Sequence, residues 1–300
     1  MKRAIPGLLL LLLAQLALVA LVYQSELNPL PSGAAPSTAA VDATLVDAIA
    51  ISGSEGAQAS LKKIGDRWQL PALHDLPADR EKVASLLDAL LANGSDWPVA
   101  SSAAARQRFK VADYLYQRKI DLSVGKEQLQ TVFLGTSPGF RKVHARVAGE
   151  DEVRSMTFNL HDAPASDSAW IDPALLQVRT PMRIDADAYS VHREGGEWLS
   201  GLGGTPDPRE LLALLTALRT LQVDGVADAE SAAGLAESEA ELVLDIDSLS
   251  GPVLLSFWQK DGRHFVRSSE FPVIFRISAY TFERIVGIDF LLMSGQGGVQ

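Results

Sequence analysis

The run from Ala4 to Tyr23 constrains this chain more than any other stretch. About twenty residues pass without a charge, six of them consecutive leucines from Leu8 to Leu13. About twenty apolar residues of helix is what the hydrocarbon core of a bilayer requires. A helix that is apolar all round has no face to give to water. Lys2 and Arg3 precede the run, and the first charge after it is Glu26. The positive-inside rule then holds the N-terminus in the cytoplasm and sends the rest across. A cleaved signal peptide is the competing reading. Its apolar region is about 7–15 residues long and ends at a small-x-small site. This run is longer, and its exit, Leu21-Val22-Tyr23-Gln24-Ser25, offers no such site. A lipoprotein signal needs a cysteine, and the chain has none. Residues 1–23 are therefore expected to be a transmembrane anchor, with everything beyond them exported.

Residues 24–40 follow as a linker, with Pro29, Pro31 and Pro36 among Ser, Gly and Ala and no apolar periodicity. Such a stretch buries too little surface to offset its ordering entropy, and its prolines stiffen it into a short spacer. The chain carries 27 Lys and Arg against 37 Asp and Glu. Lys2 and Arg3 belong to the anchor, so the exported part is more acidic still. That balance disfavours nucleic acid and anionic membrane surfaces as partners, since both attract basic faces. The absence of cysteine excludes a disulfide framework and thiol chemistry.

The folded part is expected to begin near Val41. Short strands read at Leu45 to Ile51, Ala59 to Ile64 and Arg67 to Leu70. The period then changes: Val83, Leu86, Leu87, Leu90 and Leu91 line one helix face, with Asp79 as N-cap and Asn93-Gly94 as the stop. The same phrase returns 128 residues later. Asp207 caps a helix with Pro208 at its first position and Glu210 placed to complete a capping box. Leu211, Leu214, Leu215 and Leu218 take the places of Val83, Leu86, Leu87 and Leu90. Upstream, Gly65-Asp66-Arg67-Trp68 is echoed by Gly195-Gly196-Glu197-Trp198. After each helix, further short strands are separated by turn residues. Strands, one amphipathic helix and an antiparallel meander thus occur twice, an internal duplication. The order argues α+β rather than a βαβ series. The predicted organisation is a first α+β repeat over 41–177 and a second over 178–300.

The N-terminal anchor, the Trp-bearing strand, the Asp-capped helix after a Pro loop, the Phe109 segment and the Gly135 hairpin resemble a bacterial family of unknown function. Its members are anchored α+β proteins, often encoded beside auxiliary ABC transporters of the gliding-motility type. The similarity covers nearly everything from Val41 to about Val286. What it implies is location and company: a single-pass bacterial inner-membrane protein, bulk periplasmic, near a transporter complex. The family has no assigned catalytic residues to carry over.

Several motifs invite chemistry. Gly135-Thr136-Ser137-Pro138-Gly139 matches the G-x-S-x-G nucleophile elbow, which uses the backbone N–H after the serine in an oxyanion hole. Pro138 has no N–H, and the sequence that follows reads as a strand, so a hairpin turn is expected. Ser60-Leu61-Lys62-Lys63 matches S-x-x-K, but in a strand residues three apart point to opposite faces. Gly201-Leu202-Gly203-Gly204 precedes a helix, yet Asp207 would place a carboxylate where a phosphate should sit. Asn93-Gly94-Ser95 is a glycosylation sequon by pattern only. None of the five histidines, His74, His144, His161, His192 and His264, pair at metal-ligand spacing. His144 and His264 are expected on exposed strand surface. Asp185 with Asp187, and Asp245 with Asp247, each put two carboxylates on one expected strand face. Such pairs serve as acid/base couples or calcium ligands, and more often as a solvated face.

No catalytic, cofactor-binding or metal-binding residue is therefore assigned, and no cofactor is expected. The function expected is non-enzymatic: an accessory or scaffold subunit of an ABC-transporter-type assembly, held in the membrane through residues 4–23, with membrane-protein partners and no nucleic acid. The alternatives are a periplasmic hydrolase or carbohydrate-active enzyme using one of the carboxylate pairs, and a lipid- or small-ligand-binding module.

Overall fold

The computed structural model describes residues 41–54, 56–91 and 98–295, together with Gln15. The expected anchor, apart from Gln15, and the linker lie outside the described residues, as does the Asn93-Gly94 helix stop. The chain divides into two compact units, Met1–Asp42 and Ala43–Gln300. Gln15 of the first is helical and exposed. Among the described residues no helix is long and apolar enough to cross a membrane.

The second unit is a mixed α+β body in which all strand pairings are antiparallel. Its first half runs β1 (Ala48–Gly53), β2 (Gln58–Ile64), β3 (Arg67–Leu70), β4 (Leu76–Pro77), α1 (Arg80–Leu91), β5 (Pro98–Ala100) and α2 (Ala103–Arg108). It continues through β6 (Val111–Ala112), β7 (Leu115–Tyr116), β8 (Arg118–Val124), β9 (Glu127–Leu134), β10 (Lys142–Val147) and β11 (Val153–Thr157). Its second half runs β12 (Pro181–Asp185), β13 (Ser190–Glu194), β14 (Glu197–Ser200), α3 (Pro208–Arg219), β15 (Gly225–Val226) and α4 (Ala229–Ala236). It closes with β16 (Leu242–Ser248), β17 (Gly251–Lys260), β18 (Arg263–Ser268), β19 (Ile274–Ile277), α5 (Ala279–Val286) and α6 (Phe290–Met293).

The larger sheet has the order β4-β3-β2-β1-β8-β9-β10-β11-β5, the second β14-β13-β12-β16-β17-β18-β19-β15, and β6 pairs with β7 in a small separate sheet. The larger sheet runs four strands out, β1 to β4, and the second runs three, β12 to β14; each then crosses through helices and returns beside its first strand for a four-strand meander. The pairings follow the period-2 burial of the sequence. Ile49 and Ile51 of β1 stand opposite Leu122 and Ile120 of β8, and all four are buried. In the other sheet Ile184 of β12 faces Ile246 of β16, and both are fully buried. A one-residue slip would turn these side chains to water, which fixes the register.

Both long helices are capped as the sequence suggests. Asp79 Oδ1 accepts from the Glu81 and Lys82 N–H groups, and Asp207 Oδ1 from those of Arg209 and Glu210. The capping box is only half made. Glu210 does not return to Asp207, whose N–H donates to Leu292 O; its Oε2 instead accepts from Asp289 N–H at 3.1 Å. One further expectation moves. The segment from Leu45 begins as a 3-10 turn at Ala43–Leu45, and the strand starts only at Ala48. The helix α4 is capped by Asp228.

The connector between the halves is held on both sides. Towards the first half, Asp79 N–H donates to Trp170 O at 2.8 Å and Asp172 N–H to Pro77 O at 3.0 Å. Trp170 is fully buried, and its Nε1–H donates to Pro164 O at 2.9 Å. Towards the second half, Val178 N–H donates to Leu218 O at 3.1 Å and Val223 N–H to Pro173 O at 3.0 Å.

Candidate functional site

The Gly135–Lys142 hairpin carries the serine of the apparent nucleophile elbow. Gly135 sits where no side chain fits: a Cβ there would overlap Phe109 O and stand 2.6 Å from Lys110 O. Thr136 N–H donates to Phe109 O at 2.8 Å, so the hairpin is pinned on the turn after α2. Ser137 Oγ lies 2.7 Å from the carbonyl oxygens of both Gly139 and Lys142 and donates to that pair. β10 follows immediately, so Ser137 braces a turn. It is not a strand-to-helix nucleophile.

His144 departs from expectation. It is 7% exposed, stacked on Phe109 with ring centroids 4.0 Å apart, and its Nδ1–H donates to Thr136 O at 2.8 Å. The reason is local: α2 and the turn after it cover this face of β10. His264 is half-buried, tilted against Phe282 at 4.7 Å, rather than freely exposed.

The four candidate aspartates divide. Asp185 ends β12, and Asp187 lies in the turn beyond it, so these two do not share a strand face. Asp245 and Asp247 do, both exposed on β16. The sheet instead places Asp185 opposite Asp245, and Arg183 opposite Asp247. Asp185 is committed on both oxygens: Oδ1 accepts from Ser190 at 2.6 Å and Oδ2 meets Arg183 Nε at 2.7 Å. Both oxygens of this carboxylate are thus already engaged within its own hairpin. A cleft of about 680 Å³ opens beside this face, lined by Arg183, Asp187, Tyr189, Ser190, His192 and Ser200 among others. Tyr189 is 7% exposed, its hydroxyl has no hydrogen-bond partner, and burial pushes the phenol well above its ordinary value.

A second cleft, of about 640 Å³, lies at the N-terminus of α1 and includes Asp79, Glu81, Lys82, Arg141, Asn159 and Asp162 in its lining. Lys82 Nζ donates to Ala169 O at 2.6 Å and stands 4.9 Å over the Trp170 ring. Burial lowers its pKa, with Asp79 and Asp162 partly opposing. Ser60 and Lys63 lie on β2, and Ser60 N–H donates to Asp167 Oδ1; they form no Ser-Lys couple. The Gly201–Gly204 loop leads to Asp207, whose carboxylate fills the helix N-terminus as expected. Among the described residues no group of three His, Asp or Glu side chains is placed to hold a metal ion.

Sequence reasoning missed Arg146, which is 4% exposed. Its Nε donates to Val111 O at 2.7 Å and its other nitrogens reach Glu150 O and Asp113 Oδ1. The signal was present, since the β10 pattern makes His144 and Arg146 neighbours on one face. Lys82 and Tyr189 carried no signal. One sits on a helix flank and the other in a turn, and their partners come from distant sequence.

Fold and site together define an antiparallel α+β body with two large sheets and polar clefts. The chain belongs to the family described as Domain of unknown function (DUF4340), whose model matches residues 68–238. No curated protein and no solved structure matches it.

Proposed function

We propose that this protein is a single-pass inner-membrane protein whose periplasmic part is a non-catalytic accessory or scaffold subunit of an ABC-transporter-type assembly. The exported part is, on this reading, an internally duplicated α+β unit. The observation that carries the binding role is where large apolar side chains are spent. Phe140, Tyr114, Leu249 and Leu202 are 92%, 77%, 75% and 71% exposed, all in turns or loops. Loop tips are usually polar, and exposed aromatics are the residues that anchor interfaces. The charge-free run at 4–23 supports the anchor, and the two sheet orders, alike apart from the extra edge strand β4, support the duplication.

The test is a co-purification. A C-terminal tag, light cross-linking in cells and mild detergent extraction should recover an ABC permease with its ATPase. Recovery of neither, from cells that express both, overturns the accessory role. A reporter fused after Ser25 should be active in the periplasm, and cytoplasmic activity overturns the topology. The hydrolase alternative rests on one specific observation, the cross-strand pairing of Asp185 with Asp245. It predicts that Asp245→Asn abolishes a glycan- or ester-cleaving activity, which the scaffold reading does not require.

A further inference from the structure

We propose that the turn carrying Phe140 is a membrane-contacting tip, which inserts its ring among the headgroups of an anionic lipid surface. This rests on the tethered topology proposed above and adds a second point of contact to it. Phe140 is 92% exposed at the end of a turn that is unusually well braced. Gly135 is wedged against Phe109 O and Lys110 O. The Ser137 hydroxyl bridges Gly139 O and Lys142 O, and Lys142 N–H closes the turn onto Gly139 O at 3.2 Å. Arg141 takes a left-handed backbone, φ 50°, to complete it. A braced turn loses little conformational entropy when its tip is buried.

The charges around the ring fit the same occupant. Arg141 and Lys142 follow Phe140 directly. Arg108 and Lys110 flank Phe109, on which the hairpin is pinned. All four are exposed, and none forms an ion pair among the described residues. Arg108 only lies over the Phe109 ring at 4.6 Å. Two of the three acidic groups that line a cleft with Arg141 have other partners. Asp79 and Asp162 share the α1 cleft with Arg141; the first caps its helix and the second faces Lys82. Glu81 shares the cleft as well. Asp113 is held by Arg146. The chain as a whole is acidic, net −10, but charges are screened beyond about 8 Å at physiological salt. A lipid surface therefore meets the local cluster and not the average. An apolar ring with Lys and Arg beside it is the chemistry of interfacial contact with anionic lipid.

The chain has no cysteine, so Phe140→Cys gives one attachment point for an environment-sensitive bimane, and Leu249→Cys gives a matched control on another exposed turn. The full chain is reconstituted into vesicles of phosphatidylcholine alone, or with an equal share of phosphatidylglycerol, each containing dibrominated lipid as quencher. The expected result is quenching at 140 and not at 249, only in the anionic vesicles. Each cation removed, Arg141→Glu or Lys142→Glu, should weaken engagement at least about fivefold, the factor each basic residue contributes near an anionic surface. Equal quenching at both positions, or none at 140, overturns the proposal. So does a position-140 cross-link in cells that goes to protein while lipid quenching is absent. If alkaline carbonate strips the chain from the vesicles, the anchor reading has failed separately. The labelled chain is then added to preformed vesicles of the same two compositions, where anionic-dependent quenching at 140 upholds the tip and its absence overturns it.

Discussion

Arg146→Met should destabilise the folded unit by about 2–4 kcal/mol, and the reason is not the salt bridge. The guanidinium is buried, donates to Val111 O at 2.7 Å and Glu150 O at 3.1 Å, and lies 4.7 Å over the Phe133 ring. Val111 is fully buried, so its carbonyl loses a partner where water does not replace it, at a cost of about 1–3 kcal/mol. A desolvated cation over a ring contributes up to about 2 kcal/mol more. The Asp113 carboxylate, though 2.9 Å away, is 74% exposed. Its share is therefore about 0–1 kcal/mol. Methionine returns part of the loss as apolar contact. Urea unfolding followed by tryptophan fluorescence measures the shift in midpoint at constant slope. Asp113→Ala should move the midpoint far less, and Arg146→Lys should fall between, since an ammonium cannot span all three acceptors. Buried charged groups can often be replaced by hydrophobes without loss. If Arg146→Met is neutral, or if Asp113→Ala costs as much, the carbonyl-clamp argument is wrong.

Three other perturbations have signs set by the structure. Gly135→Ala should cost more than about 2 kcal/mol by breaking the bonds that pin its hairpin, whereas Gly234→Ala meets only the flexible end of Lys260 and should be tolerated; thermal melts of the two variants compare them. Lys82 has a folded pKa below its ordinary 10.5, so the unfolded chain binds more protons between the two values and stability should rise with pH across that window, up to 10.5. Lys82→Met should remove that rise from a stability–pH profile. Tyr189 has a phenol raised above its ordinary 10.0 by burial, so its contribution is intact below 10.0 and lost as pH climbs past it. Tyr189→Phe should abolish that alkaline loss and, by deleting an unpartnered buried hydroxyl, raise neutral-pH stability by about 1 kcal/mol.

What was legible in the sequence was legible for local reasons. The strand Arg67–Leu70 matches the expected span, because turn residues mark its start. The caps at Asp79 and Asp207 were legible because an N-cap bonds its own helix. The errors have the opposite character. Leu45 belongs to an alternating pattern, but it is 57% exposed and the strand starts later, since the pairing with β8 decides where β1 begins. Asp187 was assigned to the face of Asp185 on spacing alone, while the chain turns after Asp185. His144 reads as an exposed strand residue until α2 lies over it. The candidate site suffered most. Asp185 meets Asp245, and Lys82 meets Trp170, only through connections that no local period encodes.

The matched halves show how the connector is to be understood. On the duplication proposed above, Asp79 corresponds to Asp207 and Lys82 to Glu210. Asp79 N–H donates to Trp170 O in the segment after β11, and Asp207 N–H donates to Leu292 O in the segment after β19. Lys82 Nζ reaches Ala169 O, and Glu210 Oε2 takes Asp289 N–H. Each long helix thus receives the tail of its own meander at its N-terminus, through the same two positions. The chemistry is inverted: a cation grips a carbonyl in one half, a carboxylate grips an N–H in the other. The docked connector is then the closing segment of the first half and not a free linker between two domains. Because Val178 and Pro173 also bond the second half, that closing segment serves both. Loosening it at Trp170 should therefore disturb the second half as well as the first, which a pair of independently linked domains would not do.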